Sequence, residues 1–200
     1  MKVPPAGASP ASSAPAGMKR FTYLAADGGP HMLLPADVAR SWSGVTSMLA
    51  VLDPKSDYGR ACAATASDKM ATIAVGSGSA VVFADPPMTA WGKSLDGLVE
   101  VYYLESWSNT DLDSLIDKAT AALPTPALRD SGKRLSLTAP DAFLLFAGDT
   151  PDPRPTGPAY GAHRVPLGAG EYRILVGTYS ARGDSVTVYR LQPAARNAMR

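Results

Sequence analysis

Apolar and polar positions alternate in short runs along most of this chain, and the runs are separated by Gly and Pro. Phe21, Tyr23 and Leu24 begin a first strand, and Asp27-Gly28-Gly29-Pro30 reads as a turn, since glycine accepts positive φ and proline fixes the exit. His31 to Leu34 follows as a second strand. Pro35 then opens a short helix over 36–41, where its missing N–H is harmless, and Gly44 ends it. Thr72–Val75 and Ala80–Ala84 flank Gly76-Ser77-Gly78, the pattern of a hairpin. Leu98–Leu104 (LVEVYYL) is β-branched and aromatic and reads as a central strand.

The period changes from two to about 3.6 only once over a long stretch. Leu112, Leu115, Ile116, Ala119 and Leu123 fall on one stripe, which predicts a helix over 111–123. Thr110 is the expected N-cap, Asp111 and Asp113 place negative charge in the first turn, and Pro124 stops the helix. Beyond it the alternation resumes. Leu135 and Leu137, the apolar run Ala142–Ala147, and Tyr172, Ile174 and Val176 mark strands, and Val186–Leu191 pairs back through a turn at Ala181–Asp184. Asp149–Tyr160 is a proline-rich loop. The fold class is therefore α+β, mostly antiparallel sheet with one main helix (111–123) and a short helix (36–41).

Residues 1–17 are nearly all Pro, Ala, Gly and Ser, and residues 1–19 read as a disordered tail, with Met18 as an alternative start. Residues 20–193 form the expected single α+β domain, with two small β-rich subdomains split near 124–134 as the other arrangement. Residues 194–200 read as a frayed tail. The halves on either side of the helix share a rhythm of strands and Gly/Pro turns without a strict sequence repeat.

Composition narrows the function more than it names it. A net charge of +1 leaves no electrostatic footprint for nucleic acid or an anionic membrane. No apolar run is long enough to span a bilayer, Val3–Gly17 holds no apolar segment of a secretion signal, and the chain has a single cysteine. A cytoplasmic protein is expected.

Candidate chemistry is sparse. The chain carries neither a phosphate-binding GxxxxGK[ST] loop nor a GxSxG nucleophile elbow. His31 and His163 lie far apart with no further ligand at metal-binding spacing, and His31 reads as a satisfied strand-edge histidine. Cys62 has charged and aromatic neighbours in Asp57-Tyr58-Gly59-Arg60-Ala61-Cys62, but Ala63 and Ala64 follow it, and it reads as a small buried hydrophobe rather than a nucleophile. Arg182-Gly183-Asp184 is hairpin-turn chemistry. No cofactor, metal or small-molecule substrate is expected. Trp42 and Trp91 each sit beside a turn, where a tryptophan either plugs the core or anchors a partner.

Taken in order, the landmarks Gly28-Gly29-Pro30, Trp42-x-Gly44, Asp57-Tyr58-x-Arg60-x-Cys62, Asp85-Pro86-Pro87 and Thr89-Ala90-Trp91, closing with Gly170-Glu171-Tyr172-Arg173 and Tyr189-Arg190-Leu191, resemble the immunity protein 21 family of bacterial polymorphic toxin systems. The resemblance runs over roughly Tyr23 to Leu191. It implies a non-enzymatic protein that binds and neutralises a cognate toxin domain by stoichiometric contact. It marks Gly28, Gly29, Pro30, Trp42, Asp57, Tyr58, Arg60, Cys62 and Trp91 as motif or partner-binding positions. Asp57 and Arg60 are equally suited to an internal ion pair. A small structural or regulatory interaction module is the alternative, and a Cys62-dependent enzyme a further one. A near-neutral chain carries no sign of the acidic surface that suits an inhibitor of nucleases.

Overall fold

The computed structural model describes residues 20–25, 28–45, 53–106, 111–151 and 161–194. Within them the chain runs through β1 (Thr22–Ala25), β2 (His31–Pro35), α1 (Asp57–Ala64), β3 (Met70–Val75), β4 (Gly78–Phe83), β5 (Met88–Lys93), β6 (Val99–Glu105), α2 (Leu112–Ala122), β7 (Arg129–Leu137), β8 (Ala142–Phe146), β9 (His163–Val165), β10 (Gly170–Ala181) and β11 (Asp184–Pro193). The α+β reading with mostly antiparallel sheet holds.

The strands form two antiparallel sheets. The first has the order β1-β5-β6-β11-β10-β7 and the second β3-β4-β2-β8-β9. Their facing sides bury one shared apolar layer that includes Leu33, Phe83 and Leu144 from the second sheet and Val101, Leu135 and Leu191 from the first. Each sheet also carries apolar residues on its other side, and each of those faces is covered by one helix. On the first sheet, Leu115, Ile116 and Ala119 of α2 pack on Tyr102, Val186 and Val188. On the second, Tyr58 and Ala61 of α1 pack with Trp42 around Met32, Ile73 and Val82. The result is four layers, helix–sheet–sheet–helix. It explains why Val81-Val82-Phe83 and Leu33-Leu34 are continuous apolar runs rather than strict alternations: both faces of these strands are buried.

The strand order is close to a palindrome. β6 and β11 pair at the centre of the first sheet, β5 and β10 flank them, and β1 and β7 form its two edges; β2 and β8 pair in the middle of the second. Each half of the chain thus starts on an edge of the first sheet, crosses to the second, and returns. This is the physical form of the shared rhythm of the two halves. Strands from before and after residues 124–134 lie side by side in each sheet.

Several local expectations change. The segment 36–41 is a turn followed by one 3-10 turn at Ala39–Ser41, and Pro35 closes β2 instead of opening a helix. Its bonds span three residues, as in Ser41 N–H to Val38 C=O at 2.9 Å, and so short a segment cannot nucleate an α-helix. α1 was not foreseen; Ser56 caps it, its hydroxyl accepting from Gly59 N–H at 3.0 Å. α2 lies within the expected 111–123, but Asp111 supplies the N-cap through its carboxylate to Ser114 N–H, while Thr110 lies outside the described residues. The tail 1–19, Asp27, most of the proline-rich loop (152–160) and the end of the chain (195–200) also lie outside them. His31 is not on a strand edge: β2 is the central strand of the second sheet, and His31 is fully buried.

Candidate partner-binding site

Eight of the nine motif positions come together on the outer side of the second sheet. The turn residues Gly28, Gly29 and Pro30 enter β2, and Gly29 N–H donates to the Asp85 carboxylate at 2.6 Å. Ala147, just past β8, is held from both sides: its N–H donates to Pro30 C=O at 2.8 Å, and its C=O accepts from the Trp42 indole N–H at 3.0 Å. Trp42 is 2% exposed and sits in the core beneath α1.

α1 carries the rest of the cluster on one turn and a half. Tyr58 lies against the Phe146 ring, centroids 5.7 Å apart, and its hydroxyl donates to Gly28 C=O at 3.4 Å. Burial, then Cys62 and Asp85, push its pKa up to about 12, so it is a neutral donor. Cys62 is half-buried one helical turn after Tyr58 and is packed against the same apolar layer.

Asp57 and Arg60 pair with each other at 2.5 Å. The same two side chains also tie separate segments together. Asp57 accepts from Ser43 N–H at 2.8 Å, and Arg60 donates to Ala74 C=O at 3.0 Å. An exposed ion pair alone contributes about 0.2–1 kcal/mol; here it also fixes the loop after Trp42 and the end of β3 to α1. Arg60 remains partly exposed.

Trp91 is the one motif position placed elsewhere. It stands within β5, paired to Thr22 and Val101, rather than beside a turn. It packs against the inter-sheet core, half-buried, and its indole N–H has no hydrogen-bond partner among the described residues.

One feature was not picked out from the sequence. Arg129, Ser131 and Lys133 of β7 line a cleft of about 230 Å³ with Asp68, Lys69 and Tyr189. In the sequence the row Leu137, Leu135 continues at spacing two into Lys133, Ser131 and Arg129, although the pairing of β7 with β10 shifts between Arg134 and Asp130 around Gly132. Among the described residues no group of three or more His, Cys, Asp or Glu is placed to hold a metal ion, and no helix is long and apolar enough to cross a membrane.

None of the curated proteins and none of the solved structures compared with the chain matches it. The family model described as Immunity protein 21 matches residues 22–184, from the first strand to the start of the last and across all of the motif cluster. The chain belongs to the immunity protein 21 family.

Proposed function

We propose that the protein acts in the cytoplasm, where it binds a cognate toxin domain in a stoichiometric complex and thereby blocks its action. The family match over residues 22–184 carries this reading. In it the protein works by occupancy, without a cofactor or a chemical step of its own. The four-layer core supports it physically: a scaffold already ordered in the free state loses little conformational entropy on binding, so a few anchors supply most of the affinity.

The test is co-expression. The toxin domain encoded beside this gene is expressed with and without the protein, and growth is followed; the purified pair is then titrated by calorimetry. Restored growth together with a one-to-one complex of nanomolar or tighter affinity, about −12 kcal/mol or better, is the expected result. Continued toxicity in the presence of soluble, folded protein, with no complex on titration, would overturn the reading for that pair.

A further inference from the structure

We propose that the cleft at the open end of the two sheets receives a carboxylate-bearing segment of the toxin partner. The inference rests on the immunity reading above and gives that partner a chemistry and a docking position.

The cleft exists because the first sheet outreaches the second. β10 and β11 run for 12 and 10 residues, whereas β3 and β4, which face them, have 6 each. Along the first sheet's inward face the residues change character toward that end. On β7 the buried Leu137 and Leu135 give way to Lys133, Ser131 and Arg129. On β10, Ile174 and Val176 give way to Thr178, and on β11, Leu191 and Tyr189 give way to Thr187. Only the segment Asp68–Met70, entering β3, closes the other wall.

The β7 wall carries an irregularity, its pairing with β10 shifting between Arg134 and Asp130 with Gly132 at φ +74°, while the floor and the opposite wall are regular. Thr178 and Thr187 face each other across the strands with their hydroxyl oxygens 3.0 Å apart. Tyr189 is 2% exposed, with its ring 4.9 Å from that of Phe83, and forms the floor. A volume of about 230 Å³ equals that of roughly seven or eight water molecules at ~30 Å³ each. That is room for one or two side chains, not for a nucleic-acid duplex.

Charge selects the occupant. Lys69 is already committed: its ammonium bridges Glu105 at 3.0 Å and lies 5.2 Å above the Tyr103 ring. Arg134, which follows Lys133 and points to the other side of β7, is paired with Asp130 at 3.0 Å and lies 4.0 Å from Glu171. Arg129 and Lys133, on the inward row, have no carboxylate within ion-pair distance among the described residues, and Asp68 is the single acid lining the cleft. Two uncommitted cations at the mouth of a part-enclosed cleft attract a carboxylate, and an arginine holds one through two parallel hydrogen bonds. Such pairs speed association and fix the docking register.

The experiment uses the full chain and the purified toxin domain encoded beside its gene. Affinity and association rate are measured at low and at high salt for the unaltered protein, for Arg129→Glu/Lys133→Glu, for the milder Arg129→Gln/Lys133→Gln, and for Lys93→Glu as a remote control. We expect the charge-reversed protein to bind ~100-fold more weakly and the neutral one ~10-fold, both with a flatter salt dependence, and the control to bind as the unaltered protein does. Thermal melting checks that each variant is folded, and the neutral pair decides if the reversed one is not. Equal binding by the folded Arg129/Lys133 variants and the unaltered protein would overturn the cleft while leaving the immunity reading intact. Failure of the unaltered protein to bind or to restore growth would instead overturn the immunity reading, and the cleft's role with it.

Discussion

Arg190 and Glu100 face each other across the central β6–β11 pair and form an ion pair sealed from water, their side chains 2% and 0% exposed. The guanidinium meets the carboxylate through Nε at 2.6 Å and Nη2 at 2.5 Å. Nη1 also donates to the Thr125 hydroxyl at 2.6 Å and Nη2 to Leu123 C=O at 3.3 Å, just past the end of α2, while Tyr102 donates to the second oxygen of Glu100 at 2.6 Å. Removing one partner from such a pair leaves a bare charge in the interior and costs about 3–5 kcal/mol. Arg190→Met should therefore lower the unfolding free energy by about that amount in urea denaturation. Arg190→Met/Glu100→Leu, which removes both charges, should cost less than half as much. A loss under about 1 kcal/mol for the single variant would mean that water reaches Glu100.

Gly29 marks a second place where one atom decides the packing. Its φ is +155°, and a Cβ there would overlap the Tyr58 hydroxyl and stand 2.8 Å from the Phe146 ring. Gly29→Ala should destabilise the protein by about 2 kcal/mol or more, since neither the backbone nor both rings can move freely. Tyr58→Phe removes one of the two overlaps. The double variant should then be more stable than the sum of the two single losses predicts, and a double-mutant cycle reads this coupling directly. Strict additivity would show that the turn shifts independently of α1.

These two sites also show what the sequence could and could not reveal. α2 was legible because Leu115, Ile116 and Ala119 repeat at helical spacing and Pro124 stops them. The β10–β11 hairpin was legible because Arg182 and Gly183 sit between alternating rows, and both adopt positive φ there. α1 was hidden, since Tyr58 and Ala61 are its large and small buried contacts and Gly59 interrupts the pattern. That helix is held by the sheet beneath it rather than by its own propensity. The motif order around Gly29, Trp42 and Tyr58 was readable as an order. Its meaning as one packed cluster required β2 to lie beside β8, more than a hundred residues on, and no local pattern encodes that pairing.

His31 ties stability to pH. It is fully buried between the sheets, with Nδ1 2.7 Å from the Thr89 hydroxyl oxygen, the Phe146 ring at its edge and Nε2 without a side-chain partner. Burial lowers its pKa from 6.5 to about 4, against a smaller opposing effect of the Ala25 backbone. The folded state thus keeps the imidazole neutral while the unfolded chain takes up a proton below pH 6.5. This contribution is fully present above pH 6.5, falls as pH drops from 6.5 to 4, and amounts to about 3 kcal/mol at 1.36 kcal/mol per unit. His31→Gln should be less stable at neutral pH, but its disadvantage should shrink toward pH 4. Urea denaturation across that range measures the difference; parallel curves would show that His31 titrates normally when folded.

The last prediction separates anchors from architecture among the motif residues. Trp42 is sealed beneath α1, so Trp42→Ala should cost about 3–5 kcal/mol through the cavity it leaves. Trp42→Phe, which keeps most of the volume and loses the bond to Ala147 C=O, should cost less. Neither contact faces outward, so the folded Trp42→Phe protein should bind the toxin domain with unchanged affinity. Arg60 behaves differently, because its side chain is 39% exposed while it holds Asp57 and Ala74. Arg60→Ala should cost only about 1 kcal/mol of stability, so any larger loss measured in toxin binding comes from the interface itself. Calorimetric titration alongside denaturation of the same samples reads both quantities. A binding loss at Arg60→Ala that exceeds its stability loss would place part of the interface on the outer face of the second sheet around α1, whereas a folded Trp42→Phe protein that no longer binds would overturn the reading of Trp42 as architecture.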